Sequence, residues 1–319
     1  MIFSKSLVAF LFVEATIGLL FIFSFYFAYM ILTRWNFNSP SKLQYTLEKR
    51  DYFVSLILYF ALSTKVVLLP FFINLLNSLS EKLPGAMCAA GVVSANEYGQ
   101  ILLTLKVVII FISGTWLILN AKDKLEVNLP YIKPRYYLYL ALFSLILLEL
   151  LIEYLYFTNI STEEVVLCCS ALYGMSSAGL TLPFGLDIYG VLSLFYATWV
   201  LLFLSYIKKY LLINTIANIF YLVLSFYALT YFFSTYVYEL PTHKCPYCLF
   251  QKEYYYVGYL LWGSLIGGSF YSIAGFAVAK ITKFKTDYLY RNSLILDTIF
   301  IAVCTLYVVA YYLKNGVFL

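Results

Sequence analysis

Histidine is almost absent from the sequence, since its 319 residues include only one, His243. A b-type haem held by two buried histidines is therefore excluded, and no Cys-x-x-Cys-His sequence is present for covalent haem attachment. Only four methionines occur, which excludes a copper path built from histidine and methionine. The chain also has no nucleotide-binding loop, which argues against an ATP-driven pump.

Charged residues are scarce as well. They make up 12% of the chain, whereas hydrophobic residues make up 63%. A soluble domain is typically about 25% charged and about 45–50% apolar. A soluble core of this size cannot bury the surplus of apolar side chains, so the excess faces lipid. This composition excludes a soluble enzyme, a nucleic-acid-binding protein and a disordered chain, and it predicts a protein that crosses the membrane several times.

Eight runs of the sequence have the length and composition of a membrane-spanning helix, which needs about 20 mainly apolar residues. The runs are Leu7–Leu32, Tyr52–Leu79, Ile101–Leu119, Tyr136–Phe157, Val191–Ile207, Asn214–Tyr238, Tyr254–Lys280 and Ser293–Leu313. The first run carries Glu14 at its centre and no small-residue cleavage site, so we interpret it as a retained span. We predict an all-α polytopic helix bundle that forms one integral-membrane domain over residues 1–319.

Positive charges divide unevenly between alternate connections. Fourteen lie after the first, third, fifth and seventh runs: Arg34, Lys42, Lys49, Arg50, Lys122, Lys124, Lys133, Arg135, Lys208, Lys209, Lys280, Lys283, Lys285 and Arg291. Five lie at the termini or on the other connections: Lys5, Lys82, Lys244, Lys252 and Lys314. Because cytoplasmic connections carry the excess of lysine and arginine, this distribution predicts that both termini lie outside.

The longest connection, residues 158–190, carries no lysine or arginine. Ser161 and Glu164 have the spacing of a capping box, which predicts a short outer helix from Ser161 through Leu172. That helix would carry Cys168 and Cys169 and would end at the glycine-rich stretch that follows.

Five of the six cysteines fall on the predicted outer side, and only Cys304 lies within a span. The five are Cys88, Cys168, Cys169, Cys245 and Cys248. In an oxidising compartment such thiols form and exchange disulfides, although some of them can also be structural. A bridge between Cys168 and Cys169 would be strained, because adjacent Cα atoms are about 3.8 Å apart and disulfides favour about 4.4–6.8 Å. Pairing of one of them with Cys88, Cys245 or Cys248 is therefore expected.

The most specific motif, Cys245-Pro-Tyr-Cys248, lies in the predicted outer loop 239–253. We expect it at the start of the seventh span, with Pro246 in the first helical turn. Cys245 would cap the helix as a thiolate, favoured by the helix dipole and by Lys244, and Cys248 would be the more buried partner. His243 either tunes the thiolate or moves a proton, or it is a solvated loop residue.

The run from Cys245 to Lys252, followed by aromatic residues and a membrane helix rich in small residues, resembles the redox motif of the DsbB family. Members of this family reoxidise a periplasmic thioredoxin-like protein in the bacterial inner membrane and pass electrons to ubiquinone or menaquinone. The resemblance implies that Cys245 and Cys248 are the quinone-linked pair, with Cys248 nearer the ring. Lys252 stands where the family usually has an arginine close to the quinone, and Gln251 fits the usual continuation. The resemblance therefore implies Lys252 and Gln251, with the nearby His243, as candidate quinone-binding residues.

Two features depart from that family. DsbB proteins have four spans and a second cysteine pair after the first, whereas here only Cys304 follows Cys248. A second pair has to come from upstream, from Cys88 and Cys168 or Cys169, an order that is closer to vitamin K epoxide reductase-like proteins. The resulting hypothesis is a relay from an external thiol protein to Cys88 with Cys168 or Cys169, then to Cys245–Cys248, and finally to quinone.

Charged residues within the predicted spans are costly and are therefore candidates for function. Glu14, Lys106, Glu149 and Glu153 fall in the predicted outer half, where they are candidates for proton supply to a quinone; the alternative is internal ion pairs that hold helices together. Lys65 also lies within a span, and we expect Asp297 to be a satisfied residue at the inner boundary. Gly263-x-x-x-Gly267 predicts either close helix packing or space for a flat ring behind Cys248.

Two other functions compete with the quinone-linked thiol relay. The first is a soft-metal-handling membrane protein that uses His243, Cys245, Cys248 and the Cys168/Cys169 pair. The second is a structural or accessory subunit of a respiratory complex, or a transporter, in which disulfides only stabilise the loops. The leading hypothesis includes no metal and no nucleic-acid partner.

Overall fold

The computed structural model describes residues 4–37, 41–126, 128–161, 164–166 and 185–319, and the regular elements of these residues are helices. Nine helices carry the numbering used below: α1 (Lys5–Arg34), α2 (Lys42–Ser80), α3 (Ala89–Val93), α4 (Glu97–Asp123), α5 (Ile132–Thr158), α6 (Ile188–Ile207), α7 (Leu211–Tyr238), α8 (Val257–Ile281) and α9 (Asp287–Asn315). Within these residues 8 helices, all except α3, are long and apolar enough to cross a membrane. The predicted all-α class and the predicted number of spans are confirmed.

The helix ends differ from the apolar runs in a consistent direction, because most helices continue beyond their apolar part. Helix α2 begins at Lys42, upstream of the predicted Tyr52, and α9 begins at Asp287, upstream of Ser293. Hydropathy marks only the segment that suits lipid, whereas backbone hydrogen bonding continues into the polar interface. Side chains then satisfy the first amides: Ser4 accepts from Leu7 N at 3.1 Å at the start of α1.

The helices group into two compact units. Unit 1 comprises Met1–Leu75, Asn96–Thr162 and Ala277–Phe284, and thus contains α1, α4, α5 and most of α2. Buried charged side chains lie within this unit. The prediction that residues 1–319 form one integral-membrane domain stays a prediction.

Unit 2 comprises Leu76–Ala95, Glu163–Phe276 and Lys285–Leu319, and thus contains α3, α6, α7, α9 and most of α8. Its core is aromatic: Phe195 stacks on Tyr221 with ring centroids 5.2 Å apart and meets Phe233 at 5.5 Å. Helix α7 contains a π-helical turn at Leu229–Phe233, a wider turn that is frequently found at functional sites.

The predicted outer helix does not begin at Ser161. Glu164 to Val166 are not helical, and Val166 N donates to Pro84 O at 3.0 Å, so this amide serves a contact between loops instead of a helical turn. The adjacent Gly85 has a positive φ of 86° and no side chain, which leaves room for this contact because a Cβ there would overlap the backbone of Val166. Cys168 and Cys169 lie outside the described residues, as does the rest of the predicted helix.

Candidate functional site

The Cys245-Pro-Tyr-Cys248 motif precedes α8 and does not form its first turn, contrary to the sequence prediction. Two 3₁₀ turns, Cys248–Phe250 and Lys252–Tyr254, follow the motif. Gln251 between them is extended, and Tyr255 and Tyr256 have positive φ angles of 53° and 55°. These breaks prevent one continuous helix, so Cys245 does not cap α8 and the predicted helix-dipole effect on it is wrong.

Three cysteines from two distant parts of the chain meet in unit 2. Cys88 lies just before α3, and its Sγ is 3.5 Å from Sγ of Cys245. The sulfurs of Cys88, Cys245 and Cys248 all lie within 4.8 Å of one another. The three side chains are 0%, 1% and 3% exposed. The expectation that Cys248 would be clearly more buried than Cys245 is therefore wrong.

The backbone on both sides of Cys88 is held in place by side-chain amides. Gln251 Nε2 donates to Met87 O at 2.9 Å, and Asn77 Oδ1 accepts from Ala89 N at 2.9 Å. These bonds connect the segment that carries Cys88 to the loop that follows Cys248 and to the end of α2. The sequence named Gln251 as a quinone-binding residue; that role stays a prediction, beside the structural bond observed here.

Aromatic side chains fix the position of Cys245. The hydroxyl of Tyr238, at the end of α7, donates to the carbonyl oxygen of Cys245. Its ring meets the rings of His243 and Tyr254 edge-on, with centroids 4.4 and 4.5 Å apart. His243 thus contacts the tyrosine that positions Cys245, and its predicted effect on the thiolate stays a prediction.

The following residues of the motif are packed against α8. Trp262 Nε1 donates to Pro246 O at 3.3 Å. A Cβ at Gly258 would lie 2.8 Å from the carbonyl carbon of Leu249, so only glycine permits this close approach between the loop and the first turn of α8. Together with the bond of Tyr238, these contacts connect the cysteine site to α7 and α8.

Tyr254 lies close to Cys248 in the loop before α8, and this environment affects its titration. Partial burial, together with the nearby Cys248 sulfur and the Glu253 carboxylate, raises the pKa of Tyr254 above its ordinary value. Both neighbours disfavour a negative phenolate. Tyr254 is therefore a neutral hydroxyl beside Cys248 at neutral pH. Lys252 is exposed, and its predicted contact with a quinone stays a prediction.

The predicted intramembrane charges come together in unit 1. Lys65 Nζ lies 2.6 Å from Glu14 and 2.6 Å from Glu149. Lys106 Nζ lies 3.1 Å from Glu14, 2.7 Å from Glu149 and 2.7 Å from Glu153. All five side chains are buried. We call these residues the five-charge cluster; its ion pairs connect α1, α2, α4 and α5, as the structural alternative predicted, and a role in proton supply stays a prediction.

A second buried set of polar residues surrounds Arg135 in unit 1. Its guanidinium group pairs with Asp51, lies 3.5 Å from Asp123, and donates to Asn120 Oδ1 at 2.7 Å. Arg135 was predicted to lie on a connection and was counted for orientation, but it lies within α5 and is 0% exposed. The remaining connections still carry the positive excess.

Asp297 was predicted to be a satisfied boundary residue, but only one of its two carboxyl oxygens has hydrogen-bond partners among the described residues, and its depth in the membrane stays a prediction. It is 0% exposed within α9, where its Oδ2 accepts from Asn218 Nδ2 at 2.7 Å and from Ser293 Oγ at 3.3 Å. Its Oδ1 has no hydrogen-bond partner among the described residues. A Cβ at Gly268 would overlap this oxygen, so the glycine in α8 leaves space for the carboxyl group. Ser293 and Asp297 are four residues apart in the sequence, and this spacing of one helical turn could have predicted the hydrogen bond between them.

The two glycines of the Gly263-x-x-x-Gly267 motif have different surroundings. A Cβ at Gly267 would lie 3.0 Å from Leu296 Cδ1, which agrees with close helix packing. Gly263 is exposed, and a Cβ there would meet nothing within 4 Å. Cys304 is buried within α9, as predicted for a residue inside a span.

The apolar helices and the buried polar groups define the chain as a multi-pass helical membrane protein. Neither a protein-family model, nor a curated protein, nor a solved structure matches the chain.

Proposed function

We propose that this protein is a membrane thiol–disulfide oxidoreductase that passes electrons from an external thioredoxin-like thiol protein, through cysteine pairs, to a membrane quinone. The observation that carries the proposal is the 3.5 Å approach of Cys88 Sγ to Cys245 Sγ, with Cys248 in the same group. Thiol–disulfide exchange requires a thiolate to reach one sulfur of a disulfide, and this separation is van der Waals contact. Three cysteines from distant segments of the chain are buried together, and this supports a redox role more than an accidental burial of each cysteine.

The geometry supports a definite order of exchange. When Cys245 and Cys248 form a disulfide, the Cys88 thiolate attacks Cys245; the Cys88–Cys245 bond forms, and Cys248 leaves as a thiolate. A second thiol, from Cys168 or Cys169, then attacks Cys88 and releases Cys245. As a result, Cys88 and its partner, Cys168 or Cys169, have been oxidised to a disulfide, and the Cys245–Cys248 disulfide has been reduced to two thiols by two electrons. The external dithiol then reduces the new disulfide in the same way and is itself oxidised.

A quinone suits the lipid-facing side of α8. Gly263 is exposed with open space at its Cα, and the preceding residue, Trp262, is bonded to Pro246 of the motif. When bound, a quinone accepts the two electrons and two protons of the Cys245–Cys248 pair. Lys252 and Gln251 are the residues proposed to contact it at the loop. Turnover measured with ubiquinone and with menaquinone distinguishes the two quinone types.

The proposed location is the bacterial inner membrane, with the cysteine loops and both termini on the periplasmic side. The positive charges at the adjoining ends of α1 and α2, of α4 and α5, of α6 and α7, and of α8 and α9 support this orientation, because the cytoplasmic side carries the lysine and arginine excess. An oxidising periplasm would also suit disulfide exchange at these cysteines.

The direct test is quinone reduction by purified protein supplied with a reduced thioredoxin-like substrate. We expect Cys88→Ser and Cys248→Ser to abolish turnover, because each removes a sulfur that the exchange requires. Cys304→Ser is the matched control, since Cys304 is buried in the same unit but lies outside the group of three sulfurs. Turnover that survives the loss of Cys248 would refute the proposal.

Trapping with thiol mass tags tests the relay separately from turnover. If the relay is correct, replacing both Cys245 and Cys248 by serine leaves the other outer cysteines reduced when the thiol substrate is supplied, since they have lost their electron acceptor. An unchanged redox state of Cys88, Cys168 and Cys169 would contradict the relay.

A soft-metal site is the second candidate, and the same three sulfurs favour it. Zn–S bonds of about 2.3 Å place tetrahedral sulfur ligands about 3.8 Å apart, which is compatible with three sulfurs within 4.8 Å of one another. His243 is not part of this group of ligand atoms, so a fourth ligand would come from Cys168 or Cys169. Bound metal in purified protein, with alkylation of the cysteines only after chelation, would favour this function.

The third candidate function is a structural or accessory role in a larger complex, or transport. In that case serine variants of the cysteines would lower stability, and the wild-type protein would show no quinone reduction with any thiol substrate.

A further inference from the structure

Unit 2 contains a buried polar path that the cysteine chemistry does not use. We infer that Asp297 is a proton-binding site on this path, which opens at a cavity beside the first turn of α7 and continues along α7 toward the cysteine end of the unit. The inference does not depend on the proposed thiol function, because it rests on side chains other than the cysteines.

The cavity lies at the end of α6, the start of α7 and the start of α9. Its volume is about 230 Å³, and its lining includes Ser205, Asn214 and Tyr290. An exposed ion pair, Lys209 with Asp287 at 3.6 Å, lies at its rim. This volume holds several water molecules, since one requires about 10–15 Å³.

Hydrogen-bonding side chains continue from the cavity into the unit. Asn214 Nδ2 donates to Ser205 Oγ at 2.9 Å, and Ser272 Oγ donates to Asn214 Oδ1 at 3.0 Å. The hydroxyls of Thr215 and Tyr290 are 3.3 Å apart. These residues form the first layer of the path, where α7, α8 and α9 meet.

The second layer lies one helical turn further and contains Asp297. Helices α7 and α8 run antiparallel, since Asn214 contacts Ser272 and Phe226 contacts Trp262. One turn along α7 from Asn214 is Asn218, and one turn back along α8 from Ser272 is Ser269, so both residues lie at the same level.

Three oxygens of this second layer have no hydrogen-bond partner among the described residues: Asp297 Oδ1, Asn218 Oδ1 and Ser269 Oγ. All three side chains are 0% exposed. Buried polar atoms in proteins are normally satisfied, and an unsatisfied group points to a water or an ion. Three such atoms from three helices at one level therefore indicate a ligand site.

Hydroxyl groups continue the path beyond Asp297. Tyr221, Ser225 and Thr230 follow Asn218 along α7, all three side chains are buried, and the hydroxyls of Tyr221 and Ser225 lie beside each other. Thr230 lies in the π-helical turn of α7. From there to Tyr238, which bonds Cys245 O, eight residues of helix span about 12 Å.

The ligand chemistry follows from charge. Asp297 has no lysine, arginine or histidine partner in the described residues, and an unpaired carboxylate in a membrane interior is very costly. The titratable groups that face it are Tyr221 on α7 and, seven residues away on either side in α9, Tyr290 and Cys304; none is a cation at neutral pH. A bound proton removes the charge without any further ligand, whereas a metal cation needs several more oxygens.

Infrared spectroscopy of the purified protein tests the site. We expect the Asp297→Asn variant to lack one protonated-carboxyl band present in the wild-type protein, and to fold, because asparagine has the shape of the neutral acid. Transfer to D₂O should shift that band promptly in the wild-type protein and more slowly in Ser272→Val, which interrupts the first layer. Thr298→Val is the control, since its hydroxyl donates to Leu294 O and accepts from Trp199 Nε1, both outside the path, and it should leave the exchange rate unchanged.

A second measurement needs no variant. A hydrophobic carbodiimide reacts with neutral carboxyl groups, so wild-type protein should carry an adduct on Asp297, located by peptide mass spectrometry. Absence of both the band and the adduct overturns the inference. A sodium-dependent rise in melting temperature, lost in Asp297→Asn, would also overturn it and would assign the site to a metal cation. A band that does not exchange in D₂O would refute the path.

Discussion

Replacing Lys106 by methionine removes the ammonium group that contacts three of the buried carboxylates in unit 1. Its Nζ lies 2.7 Å from both Glu149 and Glu153 and 3.1 Å from Glu14. In the wild-type cluster, three carboxylates face two ammonium groups. In the variant only Lys65 remains, and it has no direct contact with Glu153 in the described structure.

Removal of one partner of a buried ion pair costs about 3–5 kcal/mol, because the other partner is left buried and uncompensated. We therefore expect Lys106→Met to lower the free energy of unfolding by about that amount. Because 1 kcal/mol shifts the melting midpoint of a mid-sized domain by about 2–4 °C, the expected fall is on the order of 10 °C. Methionine keeps most of the side-chain volume, so the fall in stability results from the missing charge and not from a cavity.

The assay is thermal unfolding of the detergent-purified variant, followed by circular dichroism. Lys314→Met is the matched control: Lys314 pairs with Glu239 at 2.8 Å, but its side chain is 63% exposed. Exposed pairs contribute about 0–1 kcal/mol, so this variant should melt close to the wild-type protein. Adding Glu153→Gln to Lys106→Met should recover part of the loss, because it removes one uncompensated charge. Equal melting of both lysine variants would refute the reasoning.

Two further predictions concern unit 2. Gly268→Ala should destabilise the protein by roughly 1–3 kcal/mol, because its Cβ would overlap Asp297 Oδ1. Gly263→Ala is the control and should not destabilise it, because a Cβ there meets nothing within 4 Å. Equal unfolding free energies of the two variants would contradict the close packing of Gly268 against Asp297. The raised pKa of Tyr254 means that the folded state holds its proton more tightly, so its stabilising effect is present below the ordinary tyrosine pKa and is lost as pH rises through the folded value. Tyr254→Phe should accordingly show a flatter loss of stability at alkaline pH, and an unchanged profile would contradict this.

The sequence was sufficient for the architecture because each span is recognisable from its own residues. Twenty consecutive apolar side chains report their environment without reference to any other segment. The same locality explains the errors. Arg135 was assigned to a connection because a single arginine beside an apolar run has the pattern of a loop residue, and only Asp51 and Asp123 on other helices show why it is buried.

The candidate site depends on contacts that no local pattern encodes. The spacing of Cys245 and Cys248 predicted that the two act as a pair, but their contact with Cys88 joins residues separated by 157 positions in the chain. The helix expected at the motif was wrong because Gln251 is extended and ties the loop to Met87, a tertiary bond that competes with helix continuation. The unpartnered oxygen of Asp297 was not foreseen because Gly268, which makes room for it, lies on another helix.

The sequence separation of Cys88 and Cys245 has a consequence for biosynthesis. At translation rates of about 5–20 residues per second, the ribosome reaches Cys245 roughly 8–30 s after Cys88. Cys168 and Cys169 emerge in between, so they are the first thiols that Cys88 can meet. The contact with Cys245 is therefore made late, after the nascent chain has already offered Cys88 two earlier partners.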